Sequence, residues 1–263
     1  MEPHLVALDV DGTILTHAGE LRPATRDAIR AVADAGHHIV ISTGRSVVAT
    51  TPVLELLGLS HGWAVCSNGA VTLELDPAEP QGYRIADTVT FDPREALTLV
   101  MRHAPHILVA VEQVGVGFKV ARPYPEGVLQ GEQVVVPFEQ LVDGPTTRVT
   151  FHDPDAASED FLELVERIGL HGVSYAVGYT AWLDLAPEGV SKGSALELVR
   201  RRLGVEPHRT FAAGDQRNDL EMLRWAARGV AMGGAPPEVV AAADETTGSV
   251  DEDGLAHALR PLG

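Results

Sequence analysis

The sequence predicts an α/β protein: a parallel-sheet core with helices on both faces, interrupted by an inserted α+β cap. Three observations predict it. The first and last thirds alternate short, uniformly apolar runs with segments of helical period, the pattern of strands buried on both faces beneath crossover helices. The middle third holds more strand-like runs, with two separate helices among them, as in α+β folds. The chain, at 263 residues, exceeds one average domain but falls short of two at roughly 150 residues each. The expected division is a core of residues 1–82 and 186–263 and a cap of residues 83–185.

Taken in order, Leu5 to Leu8 is a short apolar run that ends in Asp9 and reads as a buried strand. Thr25 to Ala35 carries Ala28, Ile29, Val32 and Ala33 at helical spacing, with Gly36 as a stop signal. His38 to Ser42 is a second buried strand. Ser46 to Leu57 reads as helix, with Pro52 expected to bend or restart it. Trp63 to Cys66 is a third strand. The last third repeats the grammar: helix over Ser194–Leu203, strand over Thr210–Ala213, helix over Asp219–Ala227, strand over Gly229–Met232, and a helix over Pro236–Ala243 begun by proline. In the middle, strands are expected at Arg84–Val89, Ile107–Glu112, Gly117–Ala121, Arg148–His152, Val173–Val177 and Ala181–Leu185. Helices are expected at Arg94–His103 and Ala157–Ile168.

Composition narrows the class of function. The net charge of −17 repels nucleic-acid phosphates and anionic membranes, so neither is an expected partner. The single cysteine, Cys66, excludes a disulfide-stapled scaffold; its apolar neighbours mark it as a small buried hydrophobe. The start of the chain lacks a signal-peptide pattern, and no apolar run nears the ~20 residues that span a bilayer. A cytoplasmic protein is expected, and nothing in the sequence fixes its oligomeric state.

Four motifs carry chemistry. Asp9-Val10-Asp11-Gly12-Thr13 follows the first strand, at the carboxyl edge where open parallel sheets bind ligands. Strand alternation, if it persists, turns Asp9 and Asp11 the same way. Two such carboxylates repel unless a cation binds one or a proton neutralises the other. That division suits phosphoryl transfer, with one metal-bound nucleophile and one general acid. An Asp-Gly turn capping a helix is the plainer alternative. Ser42-Thr43-Gly44-Arg45 ends the second strand, where a hydroxyl and amides can meet phosphoryl oxygens or simply cap a helix. Lys192 stands at a helix start, an odd place for a cation given the helix dipole, though beside aspartates and a phosphate it would neutralise charge. Gly214-Asp215-Gln216-Arg217-Asn218-Asp219 follows the strand at 210–213, and Asp215 and Asp219 are hard oxygen donors suited to Mg²⁺.

All four motifs end a strand or begin a helix on one side of one sheet. In that order the chain resembles the haloacid dehalogenase superfamily of phosphohydrolases, and more narrowly its Cof-type branch with the class IIB cap. The resemblance rests on Asp9–Thr13, Thr43–Arg45, Ser67-Asn68-Gly69, Val190-Ser191-Lys192-Gly193, and Gly214-Asp215 with Asn218–Leu223. It implies a Rossmann-like core. It also implies that Asp9 attacks phosphorus, while Asp11 protonates the leaving oxygen and then activates water. Thr43 and Lys192 would hold the phosphoryl group. Mg²⁺ would sit on Asp9, the backbone carbonyl of Asp11, and Asp215, with Asp219 supporting the metal. Gly12 would let an amide approach the phosphate. Gly44, Arg45, Asn68, Gly69 and Asn218 would face phosphate, substrate or cap. Ser42 stands where the family has alanine, which leaves the threonine in place.

The implied activity is Mg²⁺-dependent hydrolysis of a small phosphorylated metabolite, such as a sugar phosphate, through a phosphoaspartate. A phosphomutase or a non-catalytic metabolite-binding protein on the same scaffold are the alternatives. Gly115-Val116-Gly117 lacks a third glycine and a following helix, and no Gly-x-x-x-x-Gly-Lys-Ser/Thr loop exists, so dinucleotide and P-loop sites are not expected.

Overall fold

The computed structural model describes residues 2–154, 163, 173–177 and 182–263. The first strand, β1 (Leu5–Leu8), lies in the middle of an eight-stranded sheet. On one side it pairs in parallel with β2 (His38–Ser42), which pairs with β3 (Gly62–Cys66). On the other it pairs with β12 (Thr210–Gly214), followed by β13 (Arg228–Ala231) and β14 (Glu245–Thr246). Two antiparallel strands, β4 (Val71–Leu75) and β5 (Tyr83–Thr88), extend the sheet beyond β3.

Alternation along β1 sends its side chains to two cores. Val6 and Leu8 join Ile39, Ile41 and residues of α1 (Pro23–Asp34), α2 (Val47–Leu57) and the C-terminal helix at Gly254–Leu259. Leu5 and Ala7 join Val40, Val65 and residues of the helices at Lys192–Leu203 and Leu220–Trp225. This is the predicted parallel sheet with helices on both faces. Proline at the start of α1 sits where a missing N–H costs nothing.

Pro52 neither bends nor restarts α2, which runs unbroken from Val47 to Leu57. The Val48 carbonyl, deprived of the proline's N–H, accepts from the Thr51 hydroxyl at 3.3 Å. Ser46 caps the start and Gly58, at φ 72°, ends the helix.

The second sheet has six strands in the order β10, β11, β9, β6, β7, β8. They are β6 (Leu108–Gln113), β7 (Gly117–Val120), β8 (Glu132–Val135), β9 (Val149–His152), β10 (Val173–Val177) and β11 (Trp182–Pro187). All pairs are antiparallel except β7 with β8. The helix α3 (Arg94–His103) packs Leu97 and Val100 against Val109, Val111, Phe151, Leu183 and Leu185 on one face. The opposite face turns Glu112, Arg148, Thr150 and Asp184 toward the core.

The expected cap boundary at residue 83 is corrected here. Tyr83–Thr88 hydrogen-bonds to β4 as the edge strand of the core sheet, so the chain leaves the core only after Thr88. The strand pattern is the same for either sheet; only the short turn after Leu75 decides which partner is in reach. At the other end β11 runs to Pro187 in the cap sheet. The helix expected over 236–243 contracts to Pro237–Val240, α7 here. The one expected over 219–227 becomes a 3-10 turn at Arg217–Asp219 followed by Leu220–Trp225. The helix expected at 157–168 falls, apart from Glu163, outside the described residues.

With Phe138–Leu141 as α4, the helix Lys192–Leu203 is α5 and Leu220–Trp225 is α6. Glu197 ties these last two together. It accepts from Arg200 Nε and Nη2 at 2.8 Å each, from Arg201 Nε at 2.7 Å, and from Trp225 Nε1 at 3.0 Å. These bonds, that from Arg200 foremost, hold its carboxyl far below the usual range. A depressed carboxyl stabilises the fold above its unfolded value and loses that contribution as pH falls through the folded one. Glu197→Gln should therefore lower the melting temperature at pH 7 by about 2–4 °C. The gap from the parent should close as pH falls below about 4. A gap independent of pH in thermal melts would show that the charge is irrelevant.

Candidate active site

Every strand that matters here ends at the same edge. Asp9 continues β1, and its N–H donates to the Ala213 carbonyl at 3.1 Å. Thr43 follows β2, the Ser67–Gly69 turn follows β3, and Asp215 follows β12. Lys192 is the first residue of α5 and is fully buried. Its Nζ donates to Asp9 Oδ1 and to Asp219 Oδ1, both at 2.6 Å. The second oxygen of Asp219 accepts the N–H groups of Asp215 and Gln216 at 2.9 Å each. Asp219 therefore shapes the turn that presents Asp215. Both its oxygens are engaged, whereas Asp9 Oδ2 has no hydrogen bond among the described residues.

The charge here does not balance. Asp9, Asp215 and Asp219 are buried with oxygens within 4.8 Å of one another, against one ammonium. Burial, and next the Asp219 charge, push the Asp9 carboxyl well above the usual range despite Lys192. The same two causes push Asp215 up to about 6. Burial opposes the Lys192 charge, but Asp219 and Asp9 outweigh it and raise its pKa. A buried, oxygen-only set with excess negative charge fits a hard divalent cation.

Local backbone makes this crowding possible. Gly12 has φ +81°, and a Cβ there would lie 2.3 Å from Asp215 Oδ2, so only glycine admits that carboxylate. Gln216 Nε2 donates to Asp215 Oδ2 at 2.8 Å, and the Thr13 hydroxyl lies 3.4 Å from Oδ1. Gly69 has φ +103°, and a Cβ there would stand 2.2 Å from the Ser191 carbonyl oxygen. It lets the start of α5, and hence Lys192, approach the end of β3.

Asp9 and Asp11 occupy different surroundings. Asp9 is 4% exposed, whereas the Asp11 side chain is 57% exposed and clasped by Arg45. Arg45 Nε donates to Asp11 Oδ2 at 2.8 Å and Nη2 to Oδ1 at 2.5 Å. The Thr43 hydroxyl, itself buried, accepts the Arg45 N–H at 3.1 Å. Asn218 Nδ2 donates to Asn68 Oδ1 at 2.9 Å, and both amides press against Gly44. Asn68, Asn218 and the start of α5 border a cleft of ≈350 Å³. Its walls include Ser174, Tyr175 and Asp184 from the cap and Arg217 and Arg224 from the core. Gly69 joins this assembly through its close approach to Ser191 and Lys192 at the start of α5.

The model of the haloacid dehalogenase-like hydrolase family matches residues 6–259. The chain belongs to this family. Among relatives of the haloacid dehalogenase-like chain, YkrA of Bacillus subtilis is 30% identical over 279 residues, covering 100% of this chain and 99% of its own. The pyridoxal phosphate phosphatase YbhA of Escherichia coli is 29% identical, covering 98% and 97%. Among solved structures, BT1666 of Bacteroides thetaiotaomicron, a phosphatase of the superfamily, superposes with TM-score 0.79 at 27% identity over 99% of this chain and 95% of its own. The fold, cap included, is shared with the subclass IIB sugar phosphatase BT4131, with TM-score 0.81 at 23% identity over 99% of each chain. The haloacid dehalogenase-like chain is a phosphatase of that superfamily. Among the described residues, no helix is long and apolar enough to cross a membrane.

Sequence reading passed over Glu112, Arg148 and Asp184, all buried where the cap meets the core. Arg148 stands just before β9, between Thr147 and Val149, but Glu112 and Asp184 are each a lone charge in an apolar strand, as in Leu108-Val109-Ala110-Val111-Glu112 and Trp182-Leu183-Asp184-Leu185. That misfit was the available signal.

Proposed function

We propose that this chain hydrolyses the phosphate monoester of a small metabolite, a sugar phosphate or similar compound, through a phosphoaspartate on Asp9. The observation that carries this reading is the Asp9 carboxylate itself: buried, with Oδ1 anchored to Lys192 at 2.6 Å and Oδ2 left for attack. Oδ2 displaces the alcohol in line, and Asp11 gives the leaving oxygen its proton. Asp11 then takes a proton from the water that attacks the phosphoaspartate, releasing phosphate and freeing Asp9. Thr43 and Lys192 hold the phosphoryl oxygens as charge moves onto them. Asp9, Asp215 and the backbone carbonyl of Asp11 would hold Mg²⁺, with Asp219 fixing Asp215. When bound, the ion supplies positive charge that both carboxylate and phosphate need. The small cleft, with polar groups from both bodies, suits a compact leaving group.

Purified protein should release phosphate from p-nitrophenyl phosphate and from members of a metabolite panel when Mg²⁺ is present. Phosphate-free isomerisation would mark a mutase, and binding without turnover a metabolite receptor; either outcome removes the reading.

The ion should also govern affinity. Each like-charge pair at contact costs on the order of 4 kcal/mol at a surface-like dielectric, so a phosphate dianion meets a prohibitive field among Asp9, Asp215 and Asp219. Mg²⁺ should raise the melting temperature, and Mn²⁺ should substitute for it better than Ca²⁺. After exhaustive chelation, calorimetric titration with a phosphate analogue should give no measurable heat of binding. Equal affinity with and without Mg²⁺ would refute the charge argument.

A further inference from the structure

The turn Thr43-Gly44-Arg45 carries the hydroxyl assigned to the phosphoryl group and the guanidinium that clasps Asp11. Its three successive carbonyls are closed from two different bodies. The Thr43 carbonyl accepts the Asn68 N–H at 3.1 Å, and the Arg45 carbonyl accepts the Ser67 N–H at 2.8 Å; both donors belong to the core. The middle carbonyl, that of Gly44, accepts Nη1 of Arg148, which comes from the cap.

Arg148 is fixed for this task. It is 5% exposed, lies over the Phe118 ring at 5.4 Å, and stands between two cap carboxylates. Glu112 and Asp184 each approach it to 3.7 Å. Both are also gripped from the core. The Ser67 hydroxyl donates to Glu112 Oε2 at 2.7 Å, and Asn68 Nδ2 lies 3.4 Å from Asp184 Oδ2. Ser67 and Asn68 have φ of 50° and 55°, a left-handed pair that costs energy outside glycine. The same two residues thus close the outer carbonyls of the turn by their backbones and seat the cap by their side chains.

We infer that Arg148 is a positioning residue: by binding the Gly44 carbonyl it sets the Thr43 hydroxyl and the Arg45–Asp11 pair, making phosphoryl binding depend on a seated cap. The inference rests on the phosphatase reading above, and its test is separable from it. Wild-type hydrolysis of p-nitrophenyl phosphate, lost in Asp9→Asn, checks that reading alone. Inorganic phosphate, too small to need the cap as a partner, then probes the turn as a competitive inhibitor. Two variants are compared. Arg148→Lys keeps the buried charge without the planar fork, and Arg148→Gln/Glu112→Gln removes one charge of each sign so that no net charge is left stranded.

Losing a charge-assisted bond to the turn should weaken phosphate inhibition about tenfold in the double variant, with kcat reduced as well. Arg148→Lys should fall between it and wild type, because one amine donor can still reach a carbonyl. A purely structural Arg148 would lower the melting temperature and leave phosphate inhibition untouched. An unchanged inhibition constant in either folded variant overturns the inference.

Discussion

Asp9→Asn should reduce kcat by a factor on the order of 10⁶, the scale seen when a covalent nucleophile is deleted, while the protein stays folded. An amide cannot attack phosphorus, and as a neutral ligand it holds a divalent cation poorly. Folding should survive because the Asp9 charge is itself a burden on the metal-free protein. Burial and Asp219 push that carboxyl toward its neutral form, so an uncharged isostere relieves repulsion. Lys192 retains Asp219 as a partner at 2.6 Å. The metal-free variant should therefore melt no lower than its parent, and rapid quenching with a labelled substrate should trap no phosphoenzyme. Substantial residual turnover would displace Asp9 from the role of nucleophile.

Asp11→Asn should cost about 10²–10⁴ in rate, the usual worth of general acid–base assistance. The size should depend on the leaving group. A nitrophenolate departs with little protonation, so its phosphoaspartate-forming step should suffer less than that of a sugar alcohol. Stability should barely change, since the Arg45–Asp11 pair is open to solvent on the aspartate side and such pairs contribute little. Equal slowing of the first step for both esters would remove Asp11 as the acid.

Much of this was legible in the sequence, for a physical reason. Asp9-Val10-Asp11-Gly12-Thr13 and Gly214-Asp215 each place a strand end, a tight turn and a charged side chain within a few consecutive residues. Local order along the chain there mirrors order in space. The strand at Tyr83–Thr88 was visible but not its sheet, because pairing with β4 depends on a turn and not on composition. The unbroken α2 turned on one hydroxyl, Thr51, meeting the carbonyl that Pro52 leaves free. Arg148 was least legible of all. Its partners are Gly44, Glu112 and Asp184, residues from three other strands or strand ends, and no spacing in one dimension announces such a meeting.

The central place of β1 has a consequence for synthesis. Leu5 to Leu8 pair on one side with residues 38–41 and on the other with residues 210–213. While the ribosome is still translating the cap, the first five strands can assemble, yet β1 keeps one flank of unmatched N–H and C=O groups. Such an edge invites pairing with other nascent chains. The flank is covered only when β12 emerges, and that strand also brings Asp215. Closure of the open flank of β1 and arrival of Asp215, the proposed metal ligand, thus coincide late in elongation. A ribosome-bound chain stalled before residue 210 should be prone to aggregation and unable to hydrolyse phosphate esters.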